Sequence, residues 1–308
     1  MRVVVVHNSG AGESQYDRDS LVRLISGAGH ETAYFPVDDD AWKDALVGFA
    51  DVVAAAGGDG TVGEVGRAVA GRDLPIAVLP LGTANNISTA LGQANFTIED
   101  LVAAWADARR QPFDIGVARG SWGTFRFLEG VGAGLLADGM AEIRGGRADY
   151  IHQATDSDDR MSAARGFFRR LLARMPSTQI KLSLDGRDFS GHYLLVEALN
   201  FGAAGPNLRL APQATPSDGL LDIVLVDENH RRDLADYLLS SRIDPEHLPE
   251  LPIYQARHIS LSCGRCHLHL DDEVRTAAGS EERPTVIDLS LEPNALTFLT
   301  RAPVRANR

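Results

Sequence analysis

The first third of the chain alternates short apolar runs with longer amphipathic segments. Val3 to Val6 is a continuous apolar run, as expected for a strand that is buried on both faces. Further strands are predicted at residues 31–35, 51–56 and 76–79, and helices at residues 19–28, 39–49, 62–70 and 86–91. Strands that alternate with helices in this way predict parallel β-α-β units and therefore an α/β domain.

The pattern changes after residue 114 to short alternating strands broken by Gly-rich turns. These strands are predicted at residues 113–118, 124–130, 179–184, 192–200, 222–226, 258–262, 267–270 and 285–291, with helices at 158–175 and 232–240. Such spacing is typical of an antiparallel sandwich. We therefore predict a Rossmann-like α/β domain over residues 1–118 and a β-sandwich domain over residues 119–294. A last strand, within residues 295–308, is expected to return to the first domain.

Composition narrows the classes of protein that remain. The chain has 308 residues, of which 44% are hydrophobic and 23% charged, which fits two globular domains. Its formal net charge of −12 argues against binding nucleic acid over a broad surface, because phosphate backbones need Lys and Arg contacts. Two cysteines imply no disulfide framework, and no apolar run is long enough to cross a membrane. We expect a cytoplasmic protein.

The segment Gly57-Gly58-Asp59-Gly60-Thr61 lies directly between the third predicted strand and a helix. Glycines at such a point allow the backbone to approach a ligand closely, and the start of the helix offers free N–H groups and a positive dipole end. Together they predict a phosphate-binding loop. A turn whose glycines serve packing alone is the alternative. Asp59 would either act on a metal ion indirectly or fix the loop through backbone N–H groups.

Two other predicted strands end in loops of the same kind. Gly82, Thr83 and Asn85 follow the fourth strand, and Asn8, Ser9 and Gly10 follow the first. Because the carboxyl ends of parallel strands lie at one edge of a sheet, we expect the three loops to meet in one crevice. The common phosphate-loop motif that ends in Gly-Lys-Ser/Thr is absent from the sequence.

Residues 57–61 and 80–86 resemble the diacylglycerol kinase catalytic-domain family, which includes sphingosine kinases and bacterial lipid kinases. The resemblance implies that the three loops bind ATP, together with Glu64, and that the active site lies in the cleft between the two domains. It also implies transfer of the terminal phosphate to a lipid alcohol. Two residues depart from the family pattern: Ser9 replaces a proline, and Gly63 replaces an asparagine that contacts nucleotide.

The second domain carries a further resemblance at Ser217 to Asp222, similar to a family signature at a strand entry. In bacterial members a structural Mg²⁺ lies nearby, and the matching ligands would be the Asp218 side chain and the carbonyls of Thr215 and Leu220. The alternative is that Asp218 only caps a tight turn. Both interpretations stay open.

The acidic turn Asp271-Asp272-Glu273 stands where the family has Asp-Gly-Glu. By resemblance, Asp271 or Glu273 is the base that takes the proton from the acceptor hydroxyl. Asp272 replaces the family glycine, so the geometry of this turn and the assignment of the base remain open. A solvated acidic turn without catalytic function is the alternative.

The segment Arg160 to Met175 is a basic amphipathic helix in an otherwise acidic chain. It could contact an anionic membrane and give the protein a peripheral location at the inner face, or it could pack its apolar side on the core. Cys263, Cys266 and His267 match the spacing of a c-type haem attachment motif, but the predicted strand around them argues against a cofactor there.

The sequence as a whole predicts a kinase that uses ATP and Mg²⁺ to phosphorylate a diacylglycerol- or sphingoid-like lipid. Two rivals remain. One is a kinase for a soluble acceptor such as NAD, since NAD kinases share a Gly-Gly-Asp-Gly loop. The other is a non-catalytic nucleotide-binding module, to which the departures at Gly63 and Asp272 give weight. The oligomeric state is left open, with a homodimer as one alternative.

Overall fold

A computed structural model describes residues 1–11, 16–48, 50–151, 153–154, 156–239, 248–278 and 285–301. The chain divides into two compact units: residues 1–113 with 294–308, and residues 114–293. Boundaries predicted at 118 and 295 lie within a few residues of these points, and residues 302–308 of the predicted first domain lie outside the described residues.

The strands and helices follow one another in the order below. The strands are β1 (Arg2–His7), β2 (Glu31–Pro36), β3 (Val52–Gly57), β4 (Ile76–Pro80), β5 (Arg109–Gly120), β6 (Gly123–Phe127), β7 (Gly130–Gly134), β8 (Thr178–Leu184), β9 (Arg187–Asp188), β10 (Gly191–Tyr193), β11 (Leu195–Leu199), β12 (Ala203–Ala204), β13 (Leu208–Arg209), β14 (Leu221–Val226), β15 (Ile253–Ala256), β16 (Ile259–Cys263), β17 (Arg265–Leu270), β18 (Glu273–Ala278) and β19 (Thr285–Thr300). The helices are α1 (Arg18–Gly27), α2 (Ala41–Ala45), α3 (Asp59–Val69), α4 (Asn86–Ala90), α5 (Ile98–Ala104), α6 (Leu135–Arg144), α7 (Ser157–Leu172) and α8 (Arg231–Leu239).

The first unit is built on a parallel sheet in the order β4-β3-β1-β2. β1 pairs with a strand on each side, and its residues Val3 to Val6 are fully buried, which explains their unbroken apolar character. The end of β19 pairs in parallel with β4 at Phe298 and Leu299. This pairing confirms the predicted return of the last strand to the first domain.

The second unit contains two antiparallel layers. One sheet runs β15-β14-β11-β7-β17-β18, and the other includes β10-β8-β16 and the first part of β19. Alternate residues of β11 and β14 serve two cores: Val196 and Ile223 pack towards the second sheet, whereas Leu195 and Val224 pack with helices α6 to α8. The predicted fold class, a parallel α/β domain followed by an antiparallel sheet domain, is confirmed.

Several predicted elements need correction. The helix expected over residues 39–49 is confined to Ala41–Ala45, and Gly48 beyond it has a φ of 95°, which ends regular structure. Helices α5 and α6 and strand β7 were not predicted. The sequence of β7, Gly-Val-Gly-Ala-Gly, has too few apolar side chains to give a strand pattern. None of the helices in the described residues combines the length and hydropathy that a membrane-spanning segment requires.

Candidate active site

The loops after β1, β3 and β4 lie side by side at the carboxyl edge of the parallel sheet. The N–H of Asn8 donates to the carbonyl of Ala56 at 2.9 Å, and the N–H of Leu81 donates to the carbonyl of Gly57 at 3.0 Å. These bonds bring together the loops that the sequence predicted to meet. The edge is where open parallel sheets bind their ligands.

Gly58 and Gly82 allow two of these loops to touch through their backbones. A Cβ atom on Gly82 would lie only 2.3 Å from the Cα of Gly58, so no other residue fits at position 82 without a shift. Gly57 is equally constrained, because a Cβ there would lie 2.3 Å from the hydroxyl oxygen of Thr61. Gly57, Gly58 and Gly82 therefore all serve close packing of the loops around the start of α3.

Asp59 joins the loop after β3 to the loop after β4. Its two carboxylate oxygens accept the N–H groups of Asn86 and Ile87, each at 2.9 Å. These are the first residues of α4, whose opening N–H groups have no acceptor within the helix. Asp59 thus caps α4, and of the two roles considered for it, fixing the loop through N–H groups is the one that the structure displays.

Asn85 fixes the conformation of the loop after β4 through bonds within that loop. It has a left-handed backbone with a φ of 50°, its Oδ1 accepts the N–H of Gly82 at 3.0 Å, and its Nδ2 donates to the Gly82 carbonyl at 2.8 Å. Its amide is therefore committed to the turn. Thr83 is half-buried, and among the described residues its side chain forms no hydrogen bond, so its hydroxyl is available to a ligand.

The loop after β1 is closed by Asn8, whose Oδ1 accepts the N–H of Gly10 at 3.0 Å. This local bond is typical of an Asx turn and needs no proline at the next position. Ser9 and Gly10 are exposed at the tip of the loop. The departure at Ser9 is therefore compatible with a folded loop.

Glu64 has basic neighbours on α2 and α3. Its Oε1 lies 3.9 Å from Nζ of Lys43, and both line a cavity of about 400 Å³ with Arg67 and Arg72. A Cβ on Gly63 would lie 3.1 Å from Nη1 of Arg67, so this guanidinium covers the position where the family has asparagine. The departure at Gly63 thus exchanges a short amide for an arginine side chain that lies over it.

In the second unit, Asp271 is bound by backbone groups. Its carboxylate accepts the N–H groups of Leu128 at 3.0 Å, Glu129 at 2.8 Å and Gly130 at 3.3 Å, and its own N–H donates to the carbonyl of Gly130 at 2.9 Å. Asp271 has a φ of 50°, so the left-handed position of the turn falls on an aspartate, which tolerates it. Asp272 does not need glycine-like freedom, which answers the doubt raised by that departure.

Glu273 differs from Asp271 in exposure. Its side chain is 43% exposed, and its Oε2 accepts from Arg275 at 2.9 Å. The Arg275 guanidinium lies over the rings of Trp122 and Phe125, 5.2 Å from each centroid. Glu273 is therefore the member of this pair whose carboxylate solvent or a substrate can reach.

The predicted metal loop forms a tight turn. Oδ1 of Asp218 accepts the N–H of Leu220 at 2.9 Å, and Gly219 has a φ of 73°. The carbonyl of Thr215 already accepts the N–H of Ser217 at 2.8 Å. One carboxylate oxygen and the carbonyls remain as hard donors of the kind that Mg²⁺ takes. Among the described residues, no cluster of three or more His, Cys, Asp or Glu side chains could hold a metal ion.

Asp222 gives this loop a second negative group. Burial raises the pKa of the Asp222 carboxyl to about 6, and the nearby charge of Asp218 acts in the same direction against a hydrogen bond from Gln255. A cation bound beside Asp218 would relieve this repulsion.

Two residues that the sequence analysis missed connect the metal loop to the acidic turn. The side-chain amide of buried Asn200 donates to the carbonyls of Asp114 at 2.9 Å and Leu128 at 3.0 Å. Oδ2 of Asp114 in turn accepts the N–H of Gly219 at 2.8 Å. Asn200 could have been identified as a polar residue at the end of a buried apolar strand. The position of Asp114 at the start of a predicted strand gave no comparable signal.

Two predicted features are accounted for by structure. The sequence implied no disulfide framework, but Cys263 and Cys266 form a disulfide with an S–S distance of 2.09 Å, so neither thiol is free for a cofactor. The apolar residues of the basic helix, Phe167, Phe168, Leu171, Leu172 and Met175, all belong to the core of the second unit. The packing interpretation of that helix is thus confirmed, and its exposed arginines, which do not include the buried Arg165, remain for contact with a membrane.

Comparison with known proteins identifies the family of this chain. Residues 1–118 match the family model described as the diacylglycerol kinase catalytic domain, and residues 158–300 match the YegS C-terminal NAD kinase beta sandwich-like domain. A protein of Pseudomonas aeruginosa with the name "probable lipid kinase YegS-like" is 31% identical over 73% of this chain and 71% of its own length. The chain belongs to the diacylglycerol kinase family.

Two further matches have lower identity. A diacylglycerol kinase of Bacillus subtilis is 23% identical over 77% of this chain and 76% of its own. The crystal structure of a diacylglycerol kinase from Bacillus anthracis has the same fold, with a TM-score of 0.68, 19% identity and 98% coverage of both chains.

Proposed function

We propose that this protein is an ATP-dependent lipid kinase that phosphorylates the hydroxyl of a diacylglycerol- or sphingoid-like lipid. The observation that carries the proposal is the contact between Gly58 and Gly82, locked by the Asp59 cap on α4. It joins two loops into one backbone-lined edge at the start of a helix, which suits the phosphates of a nucleotide. The names of the relatives supply the lipid acceptor.

Nucleotide binding would rest on the first unit. The N–H groups of Gly58 and Gly60 and the positive end of α3 would hold phosphate oxygens, whereas the N–H of Thr61 already donates to the carbonyl of Gly58 at 3.0 Å. The hydroxyl of Thr83 would add a further donor, and the loop of Ser9 and Gly10, exposed beside it, would border the nucleotide. Glu64 would act at longer range, since its carboxylate is already close to Lys43.

Acceptor activation would rest on the acidic turn of the second unit. Three backbone N–H groups already donate to the carboxylate of Asp271, which lowers its basicity towards a substrate hydroxyl. Glu273 is accessible, and its carboxylate pairs with Arg275 through one oxygen. These contacts favour Glu273 as the proton acceptor and Asp271 as the residue that holds the turn.

Mg²⁺ is proposed as the metal, with Asp218 and the carbonyls of Thr215 and Leu220 as its ligands in the second unit. When bound, the ion supplies positive charge and rigidity to the loop. Asp114 and Asn200 then transmit the position of this loop to the segment that binds Asp271.

Peripheral contact with an anionic membrane is proposed for the exposed basic patch of the second unit, formed by Arg147, Arg170 and Arg174 around Tyr150. Glu142 neutralises part of this charge, because it lies 2.9 Å from Arg174 and 3.8 Å from Arg147. The contact would be electrostatic, since the apolar side of α7 is buried.

The direct test is incubation of the protein with γ-labelled ATP, Mg²⁺ and a total lipid extract, followed by identification of the labelled product. We expect a labelled lipid phosphate. Labelled NADP in a parallel incubation with NAD would instead indicate a soluble acceptor. Nucleotide binding without turnover on any lipid would indicate a non-catalytic module.

A further inference from the structure

A buried pair of ionisable side chains spans three neighbouring strands of the second unit. Glu197 of β11 stands opposite Gly132 of β7, which stands opposite His269 of β17. Oε2 of Glu197 lies 2.7 Å from Nε2 of His269, although the two residues are only 0% and 4% exposed. Burial of charged groups is unfavourable unless they are paired, and even a paired set carries a desolvation penalty. A function of the pair would explain why this penalty is tolerated.

Gly132 makes the pair possible. The two partners reach each other across the central strand, where a side chain would ordinarily stand. A Cβ atom on Gly132 would lie 2.2 Å from Oε2 of Glu197. The absence of that side chain opens the space through which the carboxylate reaches the imidazole.

The other ring nitrogen of His269 points to the acidic turn. Nδ1 lies 3.1 Å from the carbonyl oxygen of Asp271. A carbonyl oxygen can only accept, so Nδ1 must carry a proton. Burial by itself lowers the pKa of His269, but the charge of Glu197 and the hydrogen bond to it outweigh this and raise that pKa above its usual value. Both ring nitrogens are then donors, one to Glu197 and one to Asp271.

The pair completes a set of bonds that hold the backbone of the turn. The carboxylate of Asp271 binds the N–H groups of residues 128–130, and Arg144 donates to the carbonyl of Asp272. Among these groups, His269 belongs to β17, the strand that leads into the turn, and it is itself held by Glu197 of β11.

We propose that Glu197 and His269 are positioning residues, a charged pair that fixes the backbone of Asp271 and so holds Glu273 where it can meet the acceptor hydroxyl. This inference rests on the proposed role of the acidic turn. Two well-packed apolar residues would fill the same space without the desolvation penalty. The pair therefore serves the geometry of the turn rather than the stability of the fold.

The test replaces both partners at once, because removal of one would leave a buried charge. E197L/H269L replaces the pair by two apolar side chains of broadly similar size, and we expect it to fold, but it lacks the bond to the Asp271 carbonyl. We expect its kcat for lipid phosphorylation to fall about tenfold or more while the KM for ATP stays within about twofold. In E197L/H269N, the asparagine amide can again donate to Asp271, and part of the lost kcat returns.

The matched control is D138L/H267L. His267 lies on the same strand and its Nδ1 is 2.8 Å from Asp138, but this pair is partly exposed, and no hydrogen bond among the described residues joins it to the turn. Its kcat should stay close to that of the wild type.

Two measurements decide the proposal without any activity. Nuclear magnetic resonance of the wild type at pH 7 should show protons on both ring nitrogens of His269. Hydrogen exchange of the amides of Leu128, Glu129 and Gly130 should be about tenfold faster in E197L/H269L, with the amides of Val3 to Val6 unchanged. Unchanged exchange at residues 128–130, or a neutral His269, overturns the inference. A wild type without lipid kinase activity would overturn the proposed function alone, and these two measurements would still show whether the pair is charged and holds the turn.

Discussion

Asp59 caps the helix that begins at Asn86: its Oδ2 accepts the Asn86 N–H at 2.9 Å, across 27 positions of sequence. A second bond, from Ile87 to Oδ1, has the same length. The charge of Asp59 is thereby directed at backbone N–H groups of a neighbouring loop. This explains how a carboxylate can stand at the start of α3, where an anionic ligand is also expected, because its partners already neutralise part of its field.

Replacement of Asp59 by alanine should therefore disconnect the two loops. We expect the free energy of unfolding to fall by roughly 1–2 kcal/mol through loss of the cap, and ATP affinity to fall by about tenfold or more. Asp59→Asn keeps one acceptor oxygen and should lie between the alanine variant and the wild type. Denaturant unfolding and titration calorimetry with ATP measure the two effects, and unchanged ATP affinity in the alanine variant would refute the loop assignment.

A methyl group at Gly82 tests the close approach of the loops. Gly82→Ala places a Cβ atom within 2.3 Å of the Gly58 Cα, so the loops must separate. We expect a loss of about 1–3 kcal/mol in the free energy of unfolding together with weaker nucleotide binding. Denaturant unfolding and titration calorimetry with ATP measure both.

Gly27→Ala is the matched control in the same unit, since a Cβ on Gly27 meets nothing within 4 Å. This variant should be neutral or slightly more stable, because alanine favours a helix more than glycine does. If the two alanine variants behave alike, the contact between Gly58 and Gly82 has no functional weight.

The parts of the molecule that the sequence predicted well are those with local signals. The apolar runs of β1, β3 and β4 and the glycines that follow them are contiguous, and a buried parallel strand needs no partner to be recognised. The edge of the sheet where the loops meet followed from the fold class alone.

What escaped prediction depends on residues far apart in sequence. The sequence left the base open between Asp271 and Glu273, because the N–H partners of Asp271 at Leu128 and Gly130 lie 143 and 141 positions away. Strand β7 was missed because its glycines supply no apolar pattern. They are explained by residues on other strands, since Gly132 makes room for the side chain of Glu197. Gly139 in α6 likewise makes room for Phe168, whose ring would lie 2.2 Å from a Cβ there.

The two carboxylates of the acidic turn should respond differently to substitution. Glu273→Gln removes the accessible proton acceptor and should lower kcat by about 10²- to 10⁴-fold with little change in stability. Asp271→Asn presents an amide to three N–H donors and should cost roughly 1–3 kcal/mol of stability. Steady-state kinetics and denaturant unfolding of both variants separate the roles. A stable, inactive Asp271→Asn beside an active Glu273→Gln would reverse the assignment.

The basic patch gives a prediction for membrane contact. Reversal of Arg170 and Arg174 to glutamate should lower binding to vesicles rich in anionic lipid at least about tenfold, since each basic residue near such a surface contributes about 1 kcal/mol. Binding to neutral phosphatidylcholine vesicles should stay weak in both proteins.

The matched control reverses Arg187 and Arg257, two exposed arginines of the same unit outside the patch. It makes the same change in net charge. Vesicle sedimentation of the two variants therefore shows whether binding depends on the position of the arginines or on the total charge. Equal losses in the two variants would mean that no particular face binds the membrane.

The Glu197–His269 pair also predicts how stability depends on pH. Burial opposes the charge of His269 but the Glu197 carboxylate prevails, so the pKa of this imidazole is raised in the folded state. A raised histidine pKa stabilises the fold fully below the unfolded value of about 6.5 and loses that contribution as the pH rises through the folded value. Above about pH 6.5 the unfolding free energy of the wild type should therefore decline until His269 loses its proton in the folded state, with a slope of at most about 1.4 kcal/mol per pH unit from this group. E197L/H269L should lack that part of the decline, whereas D138L/H267L should retain it. Denaturant unfolding at a series of pH values measures the difference, and parallel curves for the wild type and E197L/H269L would show that His269 is not charged in the fold.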